Sequence, residues 1–213
     1  MAIVDADYKF IMVDIGAAGR DSDGGVFANS LMYEYFNDET MQVPQPEKVK
    51  HDEEPFFSDQ VLPYVLLGDE AFGFSEFLMR PFPRHTELIL RKRVFNYRLS
   101  RARRIVECAF GILSAVWRIF RRPLLTNLIN SKNIVKCRVT LHNFILMFDP
   151  LREKTYKLKH TPDAYENCFT ELPLNEMPIE QQGPIKMRED FTDYFMTRGN
   201  IKFQWDKAID ANF

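Results

Sequence analysis

Two acidic residues stand where chemistry could be done. Glu107 is the lone acid in RLSRARRIVECAFGILSAVWRIF, residues 98–120, among five arginines. Read as a helix, this stretch puts Val106, Ala109 or Phe110, Leu113, Val116 or Trp117, and Phe120 in one apolar stripe. Glu107 falls on another face, with Gly111, Ser114 and Arg118 downstream and Arg103 and Arg104 upstream. Two readings of it stay open. One is an Arg103–Glu107 surface pair contributing a few tenths of a kcal/mol. The other is a carboxylate flanked by small residues that leave room for a metal and a phosphate, with arginines to hold a nucleic-acid backbone. Asp69 is the second acid of interest, because it follows VLPYVLLG, a run that reads as a buried strand. Ligands gather at the carboxyl ends of strands in open α/β sheets, but the same position also caps helices. Its neighbour Glu70 could equally be the functional acid.

Other constellations are weaker. Cys137 and His142 share a helix, but they are five residues apart with no second pair, which argues against zinc. His142 reads as a core or interface histidine. Gly24-Gly25 has no phosphate-loop pattern around it. Phe191, Tyr194, Phe195, Phe203 and Trp205 read as packing groups, and no Ser/His/Asp arrangement is suggested.

The elements that must position these residues follow from patterning. AIV and YKFIMVDI, joined by Asp5-Ala6-Asp7, predict a β-hairpin over residues 1–15. GAAGRDSDGG is a loop, and Ser22 or Asp23 can cap one helix running through VFANSLMYEYFND. Residues 38–60 are polar and proline-bearing, as expected of a surface loop. FGFSEFLMRPFPR reads as a loop or short helix broken by Pro81 and Pro83. Helices are expected over about 86–97, over Ser100–Phe120 with Pro123 as the stop, and over 131–148. Residues 149–185, with five prolines, are expected to be irregular and mobile. REDFTDYFMTRGNIKFQWD then restores an amphipathic helix with a short aromatic end. Strands followed by helices of this kind indicate an α/β or α+β domain.

Composition bounds the function. The chain has 213 residues, 46% of them hydrophobic and 14% aromatic, enough for one packed domain with or without a tail. No apolar run reaches the ~18 residues that cross a bilayer, and the first residues do not read as a secretory signal. Three widely spaced cysteines (Cys108, Cys137, Cys168) without a CxxC pair fit free thiols in a reducing compartment. The net charge of −2 conceals an asymmetry. Residues 1–59 hold 4 Lys/Arg against 13 Asp/Glu, whereas residues 80–122 hold 12 Lys/Arg against 2 acids. A basic segment of that density can bind phosphates, or simply form a solvated helix face.

Five segments together resemble one known family. They are VDADYKFIMVDIGAAGRDSDGGVFANS, LPYVLLGDEAFGFSEFLMRPFP, FNYRLSRARRIVECAFGILSAVWRIF, TLHNFI and the final DYF…GNIKFQW. In this order they resemble the DDE endonuclease domain of PIF/Harbinger-type transposases and the nucleases derived from them. The resemblance implies an RNase H-like α/β fold in which two Asp and one Glu bind a divalent cation, Mg²⁺ or Mn²⁺. Such hard cations prefer oxygen ligands. Asp69 of GDEAF matches the second acid and Glu107 of IVECAFG the third. Arg98, Arg101, Arg103 and Arg104 would contact DNA phosphates, which positions without reading sequence.

The resemblance also has a gap. The family's first Asp sits on the first, central strand, upstream of the hairpin, and Asp5, Asp7 and Asp14 do not occupy that place. The expectation is therefore an N-terminally truncated RNase H-like domain that lacks this strand and cuts DNA poorly. Its expected organisation is a nuclease domain over 1–148, an irregular segment over 149–185, and a C-terminal helix and aromatic end over 186–213 packing on the domain. The family implies a nuclear location, with the cytoplasm also open, and a separate Myb/SANT-like DNA-binding partner. The rival expectation is a domesticated, non-catalytic protein that binds DNA or chromatin through the same surface.

Overall fold

The computed structural model describes residues 1–49, 60–83, 88–149 and 182–210. Residues 50–59 of the expected surface loop, 84–87 before the long helix, and 150–181 of the segment expected to be irregular lie outside them, as does Cys168. The chain divides into two compact units, Met1–Met32 with Ala102–Leu172, and Tyr33–Arg101 with Pro173–Phe213.

The first unit opens with β1 (Ala2–Val4) and β2 (Phe10–Val13), antiparallel with Ala2 opposite Val13 and a bulge between Ile3 and Val4. The turn between them is built by Asp5. Its carboxylate accepts the N–H groups of Asp7 at 2.8 Å and Lys9 at 2.9 Å, as short polar side chains do in turns. Tyr8 takes the left-handed region at φ 65°, uncommon outside glycine, and is held there by burial and hydrogen bonding. Ser22 caps α1 (Asp23–Ala28), accepting the Gly25 N–H at 3.2 Å. The single helix expected here is broken. The Ser30 hydroxyl donates to the Phe27 carbonyl at 2.7 Å, and α2 (Leu31–Asn37) starts afresh.

A single helix, α3 (Leu90–Val116), replaces the two expected over 86–97 and 100–120. No glycine or proline interrupts residues 97–100, so nothing breaks it there. It stops before Phe120 because the chain tightens into a 3₁₀ turn over Arg118–Arg121, ahead of Pro123. Asn127 caps α4 (Leu128–Phe148) by accepting the Asn130 N–H at 2.8 Å. The core joins Tyr8 and Phe10 to Cys108, Ala109, Ile112 and Leu113 of α3 and to Val139 and Leu146 of α4. The buried stripe of α3 thus runs 105, 108, 109, 112, 113, 116, and Phe110 lies outside it, 45% exposed.

The second unit holds two small sheets. β3 (Glu47–Lys48) pairs antiparallel with β4 (Val61–Leu62), within and beside the stretch expected to be loop. β5 (Leu66–Leu67) pairs in parallel with β6 (Leu78–Met79). Here FGFSEFLMRPFPR, expected as loop or short helix, supplies a strand, because Leu78 and Met79 bury their side chains at 3% and 1% exposure. Among the described residues the hairpin, β3–β4 and β5–β6 are separate two-stranded sheets. Met79, Phe82, Phe95, Leu99 and Met187 form this unit's core, with α5 (Gln182–Met196) and α6 (Gln204–Asp210) as its later helices. Arg91 joins α3 to α5 through Glu189 at 2.6 Å and Asp193 at 2.5 Å, two acids one turn apart.

Candidate functional site

Asp69 belongs to the second unit and follows the parallel β-pair directly. The Gly68 N–H donates to the Met79 carbonyl at 2.9 Å, extending the pairing to the residue before the acid. One oxygen of Asp69, Oδ1, then accepts the Ala71 N–H at 2.9 Å, and its carbonyl accepts the Phe72 N–H at 3.3 Å. The carboxylate is therefore fixed by the turn at the C-terminal end of a strand, and it is half-buried. Gly68 allows that turn to close. A Cβ there would lie 3.0 Å from both Leu78 Cδ2 and Phe72 Cδ2. Glu70 is also half-buried beside it.

Glu107 belongs to the first unit and is exposed near the middle of α3. The helix phase puts Phe110, Gly111 and Ser114 on its side, three, four and seven residues on. Gly111 leaves open space, with nothing within 4 Å of a Cβ placed there. Ser114 turns its hydroxyl to the Gly111 carbonyl at 3.0 Å.

The four arginines differ in their surroundings. Arg98 donates through Nη1 to the Gly199 carbonyl at 2.8 Å and to Gln204 Oε1 at 3.0 Å, with its guanidinium 4.5 Å from the Phe195 ring centre. Burial lowers its pKa, and what it visibly does is tie the 199–204 segment to α3. That structural role was not legible in the sequence, where Arg98 reads only as a phosphate contact. Arg101 lies 4.6 Å from the centre of the Phe203 ring. Arg103 is half-buried, and Arg104 is buried at 6% exposure.

A divalent cation is the group the two acids would serve, and both are hard oxygen donors of the right kind. Among the described residues, however, no three His, Cys, Asp or Glu side chains gather into a group able to hold a metal ion. Those residues therefore do not by themselves make a complete metal centre. Cys137 is exposed and His142 buried on α4, so they form no zinc pair.

The family model for DDE superfamily endonucleases matches residues 1–143, a span that holds both Asp69 and Glu107. The chain belongs to this family. No curated protein and no solved structure matches it significantly. A DDE superfamily endonuclease domain implies DNA as the substrate class, and the family generally uses divalent metals. The family's fold is RNase H-like, with which the mixed helices and small sheets are compatible. No helix among the described residues is long and apolar enough to cross a membrane.

Proposed function

We propose that this DDE superfamily endonuclease is of the PIF/Harbinger type and cleaves DNA phosphodiester bonds with Mg²⁺ or Mn²⁺. Asp69 and Glu107 donate carboxylate oxygens to the cation, and the arginines of α3 hold the DNA backbone. The observation that carries this reading is the family match over residues 1–143. It is supported by the setting of the two acids. Asp69 is anchored by the Ala71 N–H at the end of β5, and Glu107 is exposed on a helix face of small residues. Of the four arginines, Arg98 is the least suited to a phosphate, because it is engaged by Gly199 and Gln204, and Arg104 is buried. Asp69 and Glu107 match two of the family's three carboxylates. The reading also carries a nuclear location, with the cytoplasm as the alternative, and a Myb/SANT-like DNA-binding partner.

The test is Mg²⁺- and Mn²⁺-dependent nicking of supercoiled plasmid, comparing the wild type with Glu107→Gln. Loss of nicking in the variant is expected, and equal nicking in the two would overturn the role of Glu107. If neither protein nicks yet both bind DNA, the second reading holds, that of a domesticated, non-catalytic DNA- or chromatin-binding protein. The density of arginines on α3 favours that second reading independently of any metal.

A further inference from the structure

One turn beyond Glu107 the surface of the first unit opens into an apolar hollow of about 490 Å³. It is lined by Phe110, Gly111, Leu113, Ser114, Phe120 and Val135. Three features separate it from an ordinary gap in packing. First, Phe110 leaves nearly half its surface open at its edge, although Ala109 and Leu113 beside it are buried. The ring is steadied from behind by Phe10, whose centre is 5.3 Å away at an interplanar angle of 62°. Second, the floor lacks side-chain bulk. Gly111 has nothing within 4 Å of a Cβ position, and the Ser114 hydroxyl donates its proton to the Gly111 carbonyl. Third, the hollow is set in basic surroundings. Residues 102–149 hold eight Lys/Arg against two acids, with Arg118, Arg121, Arg122 and Lys136 exposed on the 3₁₀ turn and α4.

An apolar hollow with an aromatic wall, formed by a stretch of chain rich in exposed cations, suits a ligand that is apolar and planar at one end and anionic along its backbone. We infer that this hollow receives one unpaired base of the DNA strand, stacked on Phe110, while Arg118 and its basic neighbours hold the adjoining phosphates. The inference rests on the nuclease reading for its substrate and adds a subsite to it. Glu107 and Phe110 are neighbours on one helix face, with Cβ atoms about 5–6 Å apart. The stacked nucleotide would therefore be within about one nucleotide of the phosphate nearest Glu107. Stacking on an aromatic wall is tolerant of base identity, so the subsite reads the unpaired state rather than the sequence.

The test uses the whole chain in EDTA, where no cleavage can confuse binding. Anisotropy of a labelled single-stranded oligonucleotide gives affinity, and an internal 2-aminopurine reports stacking through quenching. Phe110→Ala is expected to weaken single-strand binding about tenfold and abolish the quenching, with blunt duplex binding little changed. Phe110→Trp should restore both. Gly111→Leu, which fills the hollow and leaves Phe110 in place, should also release the probe. Unchanged affinity and quenching in Phe110→Ala and Gly111→Leu would overturn the inference, even if Glu107-dependent nicking is intact. A change in dimerisation without change in DNA binding would overturn it too, showing the hollow to be a contact between copies. If quenching depends on Phe110 but no nicking is found, the subsite stands and the nuclease reading fails.

Discussion

His142 Nε2 lies 2.9 Å from the carbonyl oxygen of Tyr8, the residue held at φ 65° in the hairpin turn. The neutral imidazole must carry its proton on Nε2 to donate to that oxygen. The next residue on α4, Asn143, takes both backbone groups of Phe10: its Oδ1 accepts the N–H at 2.9 Å and its Nδ2 donates to the carbonyl at 2.8 Å. The hairpin is thus fastened to α4 by a consecutive His-Asn pair, at the point where Tyr8 and Phe10 enter the core of the unit that bears Glu107.

A pH dependence follows from this bond. Burial, opposed in part by the bond to Tyr8, lowers the pKa of His142 below its ordinary value. The unfolded chain then binds the proton more readily than the folded one, so stability is complete above about pH 6.5 and declines as pH falls toward the lowered folded value. Denaturant midpoints at pH 7.5 and 5.5 should show a loss at the lower pH that His142→Gln reduces. Parallel slopes for wild type and variant would show that His142 is not the sensing group.

The second unit repeats the Asn–Phe device. Asn96 Oδ1 accepts the Phe82 N–H at 2.8 Å and its Nδ2 donates to the Phe82 carbonyl at 2.9 Å, with both residues buried. Removing the amide leaves two backbone groups without partners, each costing about 1–3 kcal/mol when buried. Asn96→Ala should therefore cost more than Asn143→Ala, where the bonds are only partly buried. Chemical denaturation of both variants ranks them, and a larger loss for Asn143→Ala would contradict the burial argument.

Much of this arrangement was visible in the sequence, and the failures have physical causes. Local signals were read correctly for the hairpin, the Ser22 cap and a strand end just before Asp69. The one buried strand expected over 61–68, however, is two short strands with Val61 and Leu67 exposed. The face of Glu107 was right too, because small residues at i+4 and i+7 are a periodic signal. The apolar stripe of α3 was left open between Ala109 and Phe110, of which the interior took Ala109, and it was misplaced by one at Val106, where Ile105 packs instead. Strand β6 was missed because it is two residues long and lies just ahead of Pro81 and Pro83, which read as breaks. The role of Arg98 was hidden because Gly199 and Gln204 are about a hundred residues away.

The two kinds of arginine can be separated. Arg98→Ala removes two hydrogen bonds and a cation–ring contact and should destabilise the protein, because Gly199 and Gln204 lose a shared donor. Arg103→Ala should weaken DNA binding, reducing the salt slope by roughly 1. Anisotropy titrations at several salt concentrations, set beside thermal melts, give both readouts. An unaltered salt slope for Arg103→Ala would remove that arginine from the DNA-binding surface.

Asp69 allows its structural and chemical roles to be divided within one side chain. Its Oδ1 accepts the Ala71 N–H, and an asparagine keeps an oxygen in that place while losing the charge. Asp69→Asn should therefore fold with stability within about 0.5 kcal/mol of the wild type, yet lose Mn²⁺-dependent nicking. Asp69→Ala removes the acceptor as well. It should cost about 1 kcal/mol or more in stability, because the Ala71 N–H in a half-buried turn loses its partner. Nicking assays and denaturation of the two variants, run together, test the division. Retention of nicking by Asp69→Asn would reduce Asp69 to a turn residue and move attention to Glu70, the half-buried acid beside it.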